Sequence, residues 1–95
     1  KMNHKVFAVY DNALKCFLKP FFCKTEQEAR RSLIIEARNP ESSINQFPQD
    51  YHLYYLGEYD DQSAKFIQSD GIHDEGTALS LMNTDNANEE EPKTS

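Results

Sequence analysis

The N-terminal quarter of the chain carries the alternation of apolar and polar positions that is typical of a β-hairpin. From His4 to Tyr10 successive side chains alternate between two faces, and β-branched and aromatic residues favour an extended strand. Asp-Asn-Ala at 11–13 predicts a turn, because Asp and Asn hydrogen-bond to their own backbone and tolerate left-handed dihedral angles. Leu14 to Phe22 would then return as the second strand, with Pro20 at an edge or bulge because proline has no N–H to donate.

A helix is predicted from Thr25 to about Arg38. Thr25 can accept a hydrogen bond from the third helical amide while Glu28 reaches back to the Thr25 amide, which forms a capping box. Asn39-Pro40 then ends the helix, because the residue before a proline avoids helical dihedral angles. One apolar stripe at helical spacing needs a sheet to cover it. Its members are Ala29, Leu33, Ile34 and Ala37.

A second hairpin is predicted in the second half of the chain. The segment 41–50 is interpreted as a loop in which Ile44 and Phe47 turn inward. Tyr51 to Tyr59 is the strongest strand pattern, and it places aromatic residues on both faces. The polar segment 60–63 predicts a turn, and Ala64 to Gln68 predicts a short fourth strand.

The C-terminal part of the sequence has weaker patterns. Ser69 to Gly76 is interpreted as a loop, and Thr77 to Met82 is an apolar segment for which helix is slightly favoured over strand. From Asn83 to Ser95 the chain is polar and acidic without periodicity, which predicts a disordered tail.

Together these elements predict an α+β fold in the order ββαββ. A small antiparallel sheet of two hairpins, about four strands, would have one helix packed on one face. The length of 95 residues allows one domain, which we place at residues 1–82, followed by the acidic tail at 83–95. Such a short folded part buries little surface, so association into a homo-oligomer through a sheet edge or an aromatic face would add stability.

The net charge of the chain argues at first against nucleic acid as its binding partner. The formal charge is −6, and coating a polyanion needs a surplus of Lys and Arg. Residues 1–38, however, hold eight basic and four acidic side chains, whereas residues 39–95 hold two basic and twelve acidic ones. The charge is therefore polarised, and this predicts an interaction surface, an acidic tail or self-association between unlike patches.

Several classes of protein are disfavoured by the motifs that the sequence lacks. It has no apolar run long enough to span a membrane, no secretion signal and no glycine-rich phosphate loop. Cys16 and Cys23 lack the spacing of a disulfide framework or zinc site, so reduced thiols are expected. His73-Asp74-Glu75 and the pair Asp60-Asp61 are better explained as solvated turns than as metal or catalytic groups. We expect no enzyme activity, no catalytic residue, no metal and no cofactor.

The basic residues of the first half give the best candidate site. Lys5 and Lys15 fall on strands predicted to pair, Lys19 continues the second strand, and Arg30 and Arg31 begin the helix. With aromatic neighbours, such a sheet would stack bases and hold phosphates. A wet sheet face that carries lysines, with the aromatics in the core, explains the same residues and stays an open alternative. The candidate nucleic-acid-binding residues are Lys5, Lys15, Lys19, Arg30, Arg31 and Tyr54, with Phe7 and Phe17 near them.

Four blocks of sequence resemble one family of phage proteins. They are Val-Phe-Ala-Val-Tyr-Asp at 6–11, Lys-Pro-Phe-Phe at 19–22, Phe-Pro-Gln-Asp-Tyr-His-Leu-Tyr at 47–54 and Gly-Glu-Tyr-Asp-Asp at 57–61. In order and spacing they are similar to the small nonstructural protein of gokushoviruses, the chlamydiaphage-like Microviridae with single-stranded DNA genomes. The long acidic tail departs from that pattern, as does Ala64, where a turn glycine is common.

The resemblance implies a DNA-binding accessory protein of phage replication. It would act in the switch to single-stranded genome synthesis, in the cytoplasm of the infected bacterium, and be absent from the mature virion. Expected partners are DNA, in single-stranded form, further copies of the chain, and viral or host replication proteins, with no membrane. The alternative is a protein-interaction module that recruits or modulates a replication protein without contacting DNA.

Overall fold

The computed structural model describes the backbone of residues 3–90 and the side chains of residues 3–85. It confirms the α+β class, with one antiparallel sheet of five strands, where about four were expected, and helices beside it. The elements are β1 (Asn3–Asp11), β2 (Cys16–Phe17), β3 (Phe21–Cys23), α1 (Glu26–Ala37), α2 (Ser43–Gln46), a 3-10 turn (Pro48–Asp50), β4 (Tyr51–Asp60), β5 (Lys65–Thr77) and α3 (Ala78–Glu90).

The strands lie in the order β2-β1-β4-β5, and β3 pairs with β1 further along the edge that β2 also uses. The predicted second strand, Leu14 to Phe22, is therefore wrong in its middle, since two short strands stand in its place. The break falls at 18–20, because Pro20 has no N–H for the ladder. The Leu18 N–H still donates to the Val9 carbonyl at 2.7 Å, which keeps the segment against β1.

α1 begins at the predicted cap. Thr25 has extended dihedral angles, and its hydroxyl accepts a hydrogen bond from the Glu28 N–H at 3.1 Å. The Glu28 carboxylate accepts from the Lys24 N–H at 2.8 Å rather than from the Thr25 amide, so the reciprocal contact of the capping box shifts by one residue. The helix buries the predicted stripe, Ala29, Leu33, Ile34 and Ala37.

The core lies between the helices and one face of the sheet, which we call the inner face. Phe7 and Leu53 are the largest fully buried side chains of the described residues. Val9 and Tyr51 lie on the same face and pack with them against α1 and Ala78 of α3. The inner face is therefore set by every second residue of β1 and β4.

The segment after the β4–β5 turn differs from the prediction. Residues 69–76, expected as a loop, continue β5, because Tyr54 and Tyr55 of β4 pair with Asp74 and His73. The backbone partners come from a distant strand, so local residue types did not indicate them. Between Gly57–Gln68 and Tyr55–His73 the register shifts, which makes β5 locally irregular.

Two helices, α1 and α3, cover the inner face, although only one was predicted. α3 begins at Ala78, as the slight preference for helix indicated, and contacts α1, β4 and β5. It extends to Glu90, so residues 83–90 of the expected disordered tail are helical. The remainder of that tail, residues 91–95, lies outside the described residues.

The connection between α1 and β4 confirms one inward side chain and not the other. Ile44 is buried in the core, whereas Phe47 is 51% exposed. Phe47 ends α2, and its N–H donates to the Ser43 carbonyl at 3.1 Å. The inward position predicted for Phe47 is wrong, because Tyr51 from β4 fills this end of the core and donates its own hydroxyl to Ser43 at 3.1 Å.

The two cysteines should react at different rates with iodoacetamide. Cys16 is exposed and Cys23 is buried, and the pKa of the Cys23 thiol is raised by that burial and by the nearby charge of Glu28. A raised pKa lowers the thiolate fraction that attacks the reagent. In the folded protein we expect Cys16 to be alkylated on the order of tenfold faster or more, as read by peptide mass spectrometry. Equal rates in the folded state would contradict the packing of β3, and equal rates in urea are the control.

Candidate functional site

The second face of the sheet, which we call the outer face, carries large side chains that no described helix covers. The register places alternate residues of β1 on this face, namely His4, Val6, Ala8 and Tyr10, with their partners in β2, β3 and β4. Several of these partners are exposed, among them Phe17 at 43% and Phe22 at 51%. An exposed apolar sheet face is unusual for a soluble monomer and indicates binding.

One end of the outer face has an aromatic trio, Tyr10, Phe17 and Tyr54. The ring centroids are 4.8 Å apart for Tyr10 and Phe17, 5.3 Å for Phe17 and Tyr54, and 6.2 Å for Tyr10 and Tyr54. All three pairs meet edge to face, at interplanar angles of 62°, 76° and 77°. We call this cluster the first trio. Lys15 and Lys19, both exposed, lie two residues before and two residues after Phe17 along the chain.

The other end has a second trio, Phe22, Tyr59 and Phe66. The Tyr59 and Phe66 centroids are 4.9 Å apart, and the Phe22 centroid lies 5.5 Å from Tyr59 and 6.3 Å from Phe66. These three residues were not among the predicted site residues. The signal that was present is the placement of aromatics on both faces of Tyr51–Tyr59, since the inner face has room for only one set.

An open groove of about 370 Å³ lies beside the second trio on the outer face. Gly57 lines this groove at the register shift of β4, and it has no side chain to fill the space. The register of β4 and β5 shifts between Tyr55 and Gly57, and the backbone of β5 lies close to the Gly57 Cα atom. Apolar residues make up most of the remaining lining, namely Val6, Pro20, Leu56, Phe66, Ile67 and Ile72.

The structure separates the six predicted site residues. Tyr54 lies in the first trio, Lys15 lies in the β1–β2 turn with a left-handed φ of 60°, and Lys19 lies in the connection to β3. Lys5 lies on the inner side, with its Nζ 5.3 Å from the centroid of the inner-face residue Tyr55. The six therefore do not share one surface.

Arg30 and Arg31 belong to α1, on the opposite side of the sheet from the first trio. Arg30 Nη2 is 2.7 Å from a carboxylate oxygen of Glu75 and 3.7 Å from one of Glu26. Arg31 is exposed on the helix surface. Phe7, expected near the stacking surface, is fully buried in the core because it alternates with the outer-face residues Val6 and Ala8.

The arginines of α1 line a separate groove of about 630 Å³ between α1 and α3. In this groove Arg38 Nη2 lies 3.0 Å from a carboxylate oxygen of Asp85. Arg30 Nη2 similarly lies 2.7 Å from a carboxylate oxygen of Glu75. Carboxylates of β5 and α3 thus offset positive charge on α1. This groove offers a polyanion less net charge than the sequence of α1 indicates.

Tyr54 stays a neutral phenol at ordinary pH. Its pKa is raised by partial burial among its neighbours, then by the negative charge of Asp74 and by Tyr10. Asp74 also lies 3.1 Å from Nδ1 of His52, whose ring centroid is 6.3 Å from that of Tyr54. Tyr54 therefore contributes an uncharged ring to the first trio.

The described part of the chain offers neither a metal-binding cluster nor a membrane-spanning helix. Among the side chains that the structure describes, those of residues 3–85, no group of three or more His, Cys, Asp or Glu is arranged to hold a metal ion. Within the same range no helix is long and apolar enough to cross a membrane.

Comparisons with known proteins place the chain in a family of phage proteins. Neither the curated proteins nor the solved structures give a match to it. The family model described as "Phage ORF5 protein" matches residues 4–77, which run from β1 to the end of β5 and include both aromatic trios. Because the match covers most of the chain, the protein belongs to the Phage ORF5 protein family.

Proposed function

We propose that this protein is a non-enzymatic, nonstructural accessory protein of a single-stranded DNA phage and that it binds single-stranded DNA through the first trio. The observation that carries the proposal is the aromatic cluster of Tyr10, Phe17 and Tyr54, in which Phe17 is exposed and has a lysine on each side of it along the chain. The resemblance to gokushovirus proteins supports a role in the switch to single-stranded genome synthesis in the host cytoplasm.

Base stacking suits this surface better than phosphate binding alone. Proteins that bind single strands without sequence preference combine aromatic side chains, on which bases stack, with basic residues that contact the backbone. Phe17 is 43% exposed, so a base can reach its ring without rearrangement of the core. Lys15 and Lys19 are exposed two residues from Phe17 along the chain and would contact the phosphates. Few lysines in such a site predict modest affinity and a shallow dependence on salt.

The α1 arginines are weaker candidates for this role. Arg30 is held by Glu75 at 2.7 Å, so binding a phosphate would first require loss of that ion pair. Lys5 lies on the inner side beside Tyr55. We therefore expect direct contact from Lys15, Lys19 and Tyr54, and little from Lys5, Arg30 and Arg31.

Replacement of Phe17 or Tyr54 by Ala should weaken binding of a fluorescent oligothymidine by about 5- to 100-fold, because each stacked base contributes about 1–3 kcal/mol. Fluorescence anisotropy at about 50 mM salt measures the affinity, a concentration at which phosphate contacts are strong. Phe47→Ala is the matched control, since Phe47 is 51% exposed, similar to Phe17 at 43%, but lies at the end of α2. Absence of binding by the unmodified protein at this salt would refute the proposal.

The contribution of the lysines to DNA binding should be measurable when the same titration is repeated at about 200 mM salt. Each phosphate contact to a single strand contributes about −0.7 to the slope of log affinity against log salt. Lys15→Ala and Lys19→Ala should each reduce that slope by about this amount, whereas Arg31→Ala should leave it unchanged. An Arg31 effect equal to those of the lysines would move the site to α1.

A second candidate function is favoured by the groove beside the second trio. Its apolar lining and the overall charge of −6 suit a protein partner better than a polyanion. In that case the chain would recruit or modulate a viral or host replication protein without contacting DNA. Retention of a replication protein in a pull-down from infected cells, together with no salt-sensitive affinity for DNA, would favour this function.

A further inference from the structure

The second trio lies on the same face of the sheet as the first trio, at the opposite end. Its Phe22 is 51% exposed and its Phe66 is 67% exposed, so both rings are open to a ligand. The register places Val6, Ala8 and Gly57 on the outer face between the two trios. All three are small, uncharged and buried, so the exposed aromatic rings at the two ends stand higher than the floor between them. We call the outer face from the first trio to the second trio the track.

We propose that one DNA single strand runs along the track and stacks bases on both trios. This inference rests on the proposed function and deepens it, because it adds a second stacking site and sets the length of strand that is bound. Ala8 and His4, the register partners of Tyr54 and Tyr59, are four residues apart in β1, a distance of about 13 Å. Nucleotides stacked at about 3.4 Å cover that distance in roughly four steps. A strand of about six nucleotides would therefore reach both trios.

The charged side chains in the strands at the second trio point away from the track. Because register partners share one side of a sheet, their pairing with inner-side residues places three of them on the inner side, namely Glu58, Asp60 and Lys65. Glu58 also lines the groove, but its carboxylate accepts a hydrogen bond from Asn3 Nδ2 at 2.8 Å. On the outer side the Asp61 carboxylate already contacts His4, with Nε2 at 3.0 Å. The overall charge of −6 therefore does not describe the track.

Lys19 supplies a cation midway along the track. It lies in the connection between β2, which carries Phe17, and β3, which carries Phe22. This connection runs beside β1, because the Leu18 N–H donates to the Val9 carbonyl at 2.7 Å. Lys19 is exposed, so its ammonium group can contact a phosphate between bases that are stacked on the two trios.

The groove of about 370 Å³ gives the second end of the track room for a base. Gln68, the register partner of Gly57, is exposed and lines this groove beside Phe66. Its amide both donates and accepts, so it can form a hydrogen bond with the edge of any base. Stacking on aromatic rings is likewise tolerant of sequence. The second trio should therefore bind bases without a strong preference.

The track is tested by the dependence of affinity on strand length. A labelled oligothymidine of about ten nucleotides is titrated by fluorescence anisotropy at about 50 mM salt, and one of about three nucleotides is measured by competition against it. Phe66→Ala should weaken binding of the long strand by about 5- to 100-fold, because a stacked base is lost, and should leave the short strand unaffected. Phe17→Ala should weaken binding of both, because the short strand binds at the first trio beside its lysines.

Two further variants complete the set. Phe22→Ala should repeat the result of Phe66→Ala, and it takes its place if Phe66→Ala does not fold by circular dichroism. Phe47→Ala is the matched control, because Phe47 has the same exposed fraction as Phe22, 51%, but lies outside the track. It should bind both strands as the unmodified protein does.

Three results would overturn the proposal and leave the proposed function intact. In the first, Phe17→Ala weakens binding of the long strand whereas Phe22→Ala and Phe66→Ala do not. In the second, the loss caused by Phe66→Ala is equal for the two lengths, so the second trio is not a separate contact. In the third, Phe66→Ala lowers the mass of the DNA-free protein in light scattering, which would assign the second trio to contacts between copies. Absence of binding at both lengths by the unmodified protein would instead refute the proposed function itself.

Discussion

Phe7→Ala is expected to lower the free energy of unfolding by about 3–5 kcal/mol, the usual cost of deleting a buried phenylalanine ring. Phe7 is fully buried on the inner face, where its ring centroid lies 5.4 Å from that of Tyr55 and 6.1 Å from that of Phe21. Removal of the ring leaves a cavity at the centre of the sheet that neighbouring strands cannot fill by small shifts. Because small domains have about 5–15 kcal/mol in total, this variant should be close to unfolding at 37 °C.

Urea denaturation followed by circular dichroism measures this effect. Phe47→Ala is the control, because an inward position was predicted for Phe47 whereas the structure leaves it 51% exposed. A cost of about 0.5 kcal/mol or less is expected for Phe47→Ala. Similar losses for the two variants would mean that the connection after α2 packs differently from the structure described above.

Gly57→Ala is expected to cost about 2–5 kcal/mol. Gly57 has a φ of +148°, which side chains with a Cβ atom rarely adopt. A Cβ atom there would overlap the carbonyl oxygen of Ile67 and lie 2.9 Å from the Cα atom of Gln68, both of them backbone atoms of β5. Relief of that overlap requires β4 and β5 to separate at the bulge, so overpacking adds to the backbone strain.

Gly71→Ala separates these two costs. Gly71 also has a positive φ, +86°, but a Cβ atom there meets nothing within 4 Å. We expect it to lose only the conformational part, about 1–2 kcal/mol. Urea midpoints of the two variants, compared at equal slope, give the difference. If Gly71→Ala costs as much as Gly57→Ala, the close approach of β4 to β5 contributes nothing and the bulge geometry is incorrect.

Local signals predicted the parts of the fold that local interactions stabilise. α1 is the clearest example, because its cap, its apolar stripe and its end are all encoded within fourteen residues, Thr25 to Arg38. β1 was also predicted, because its β-branched and aromatic residues favour an extended strand, although Val6 to Val9 are buried on both faces of the sheet. In these elements each residue's environment follows from its neighbours in sequence.

Long-range pairing explains the parts that were missed. Residues 69–76 contain Gly71, Gly76 and three consecutive polar residues at 73–75, which favour a loop, yet β4 supplies backbone partners and draws them into β5. The split of the predicted second strand has the same origin, because β1 pairs with it only on either side of Pro20. Register between distant segments is a property of the folded chain and leaves little trace in local composition.

The candidate site shows the same division. Tyr54, Lys15 and Lys19 were identified from residue type, and alternation along β1 already placed Lys5 and Phe7 on one face. The side of the sheet on which α1 and α3 pack decides which face is covered. The helices cover the face of Lys5 and Phe7, and the aromatic trios lie on the other face. Residue types along the chain thus established an aromatic, α+β phage protein with a basic first half. Assembly of β1 to β5 established which aromatic residues lie in the core and which lie on the surface. The reason is that the sheet has two faces and the helices cover only one of them.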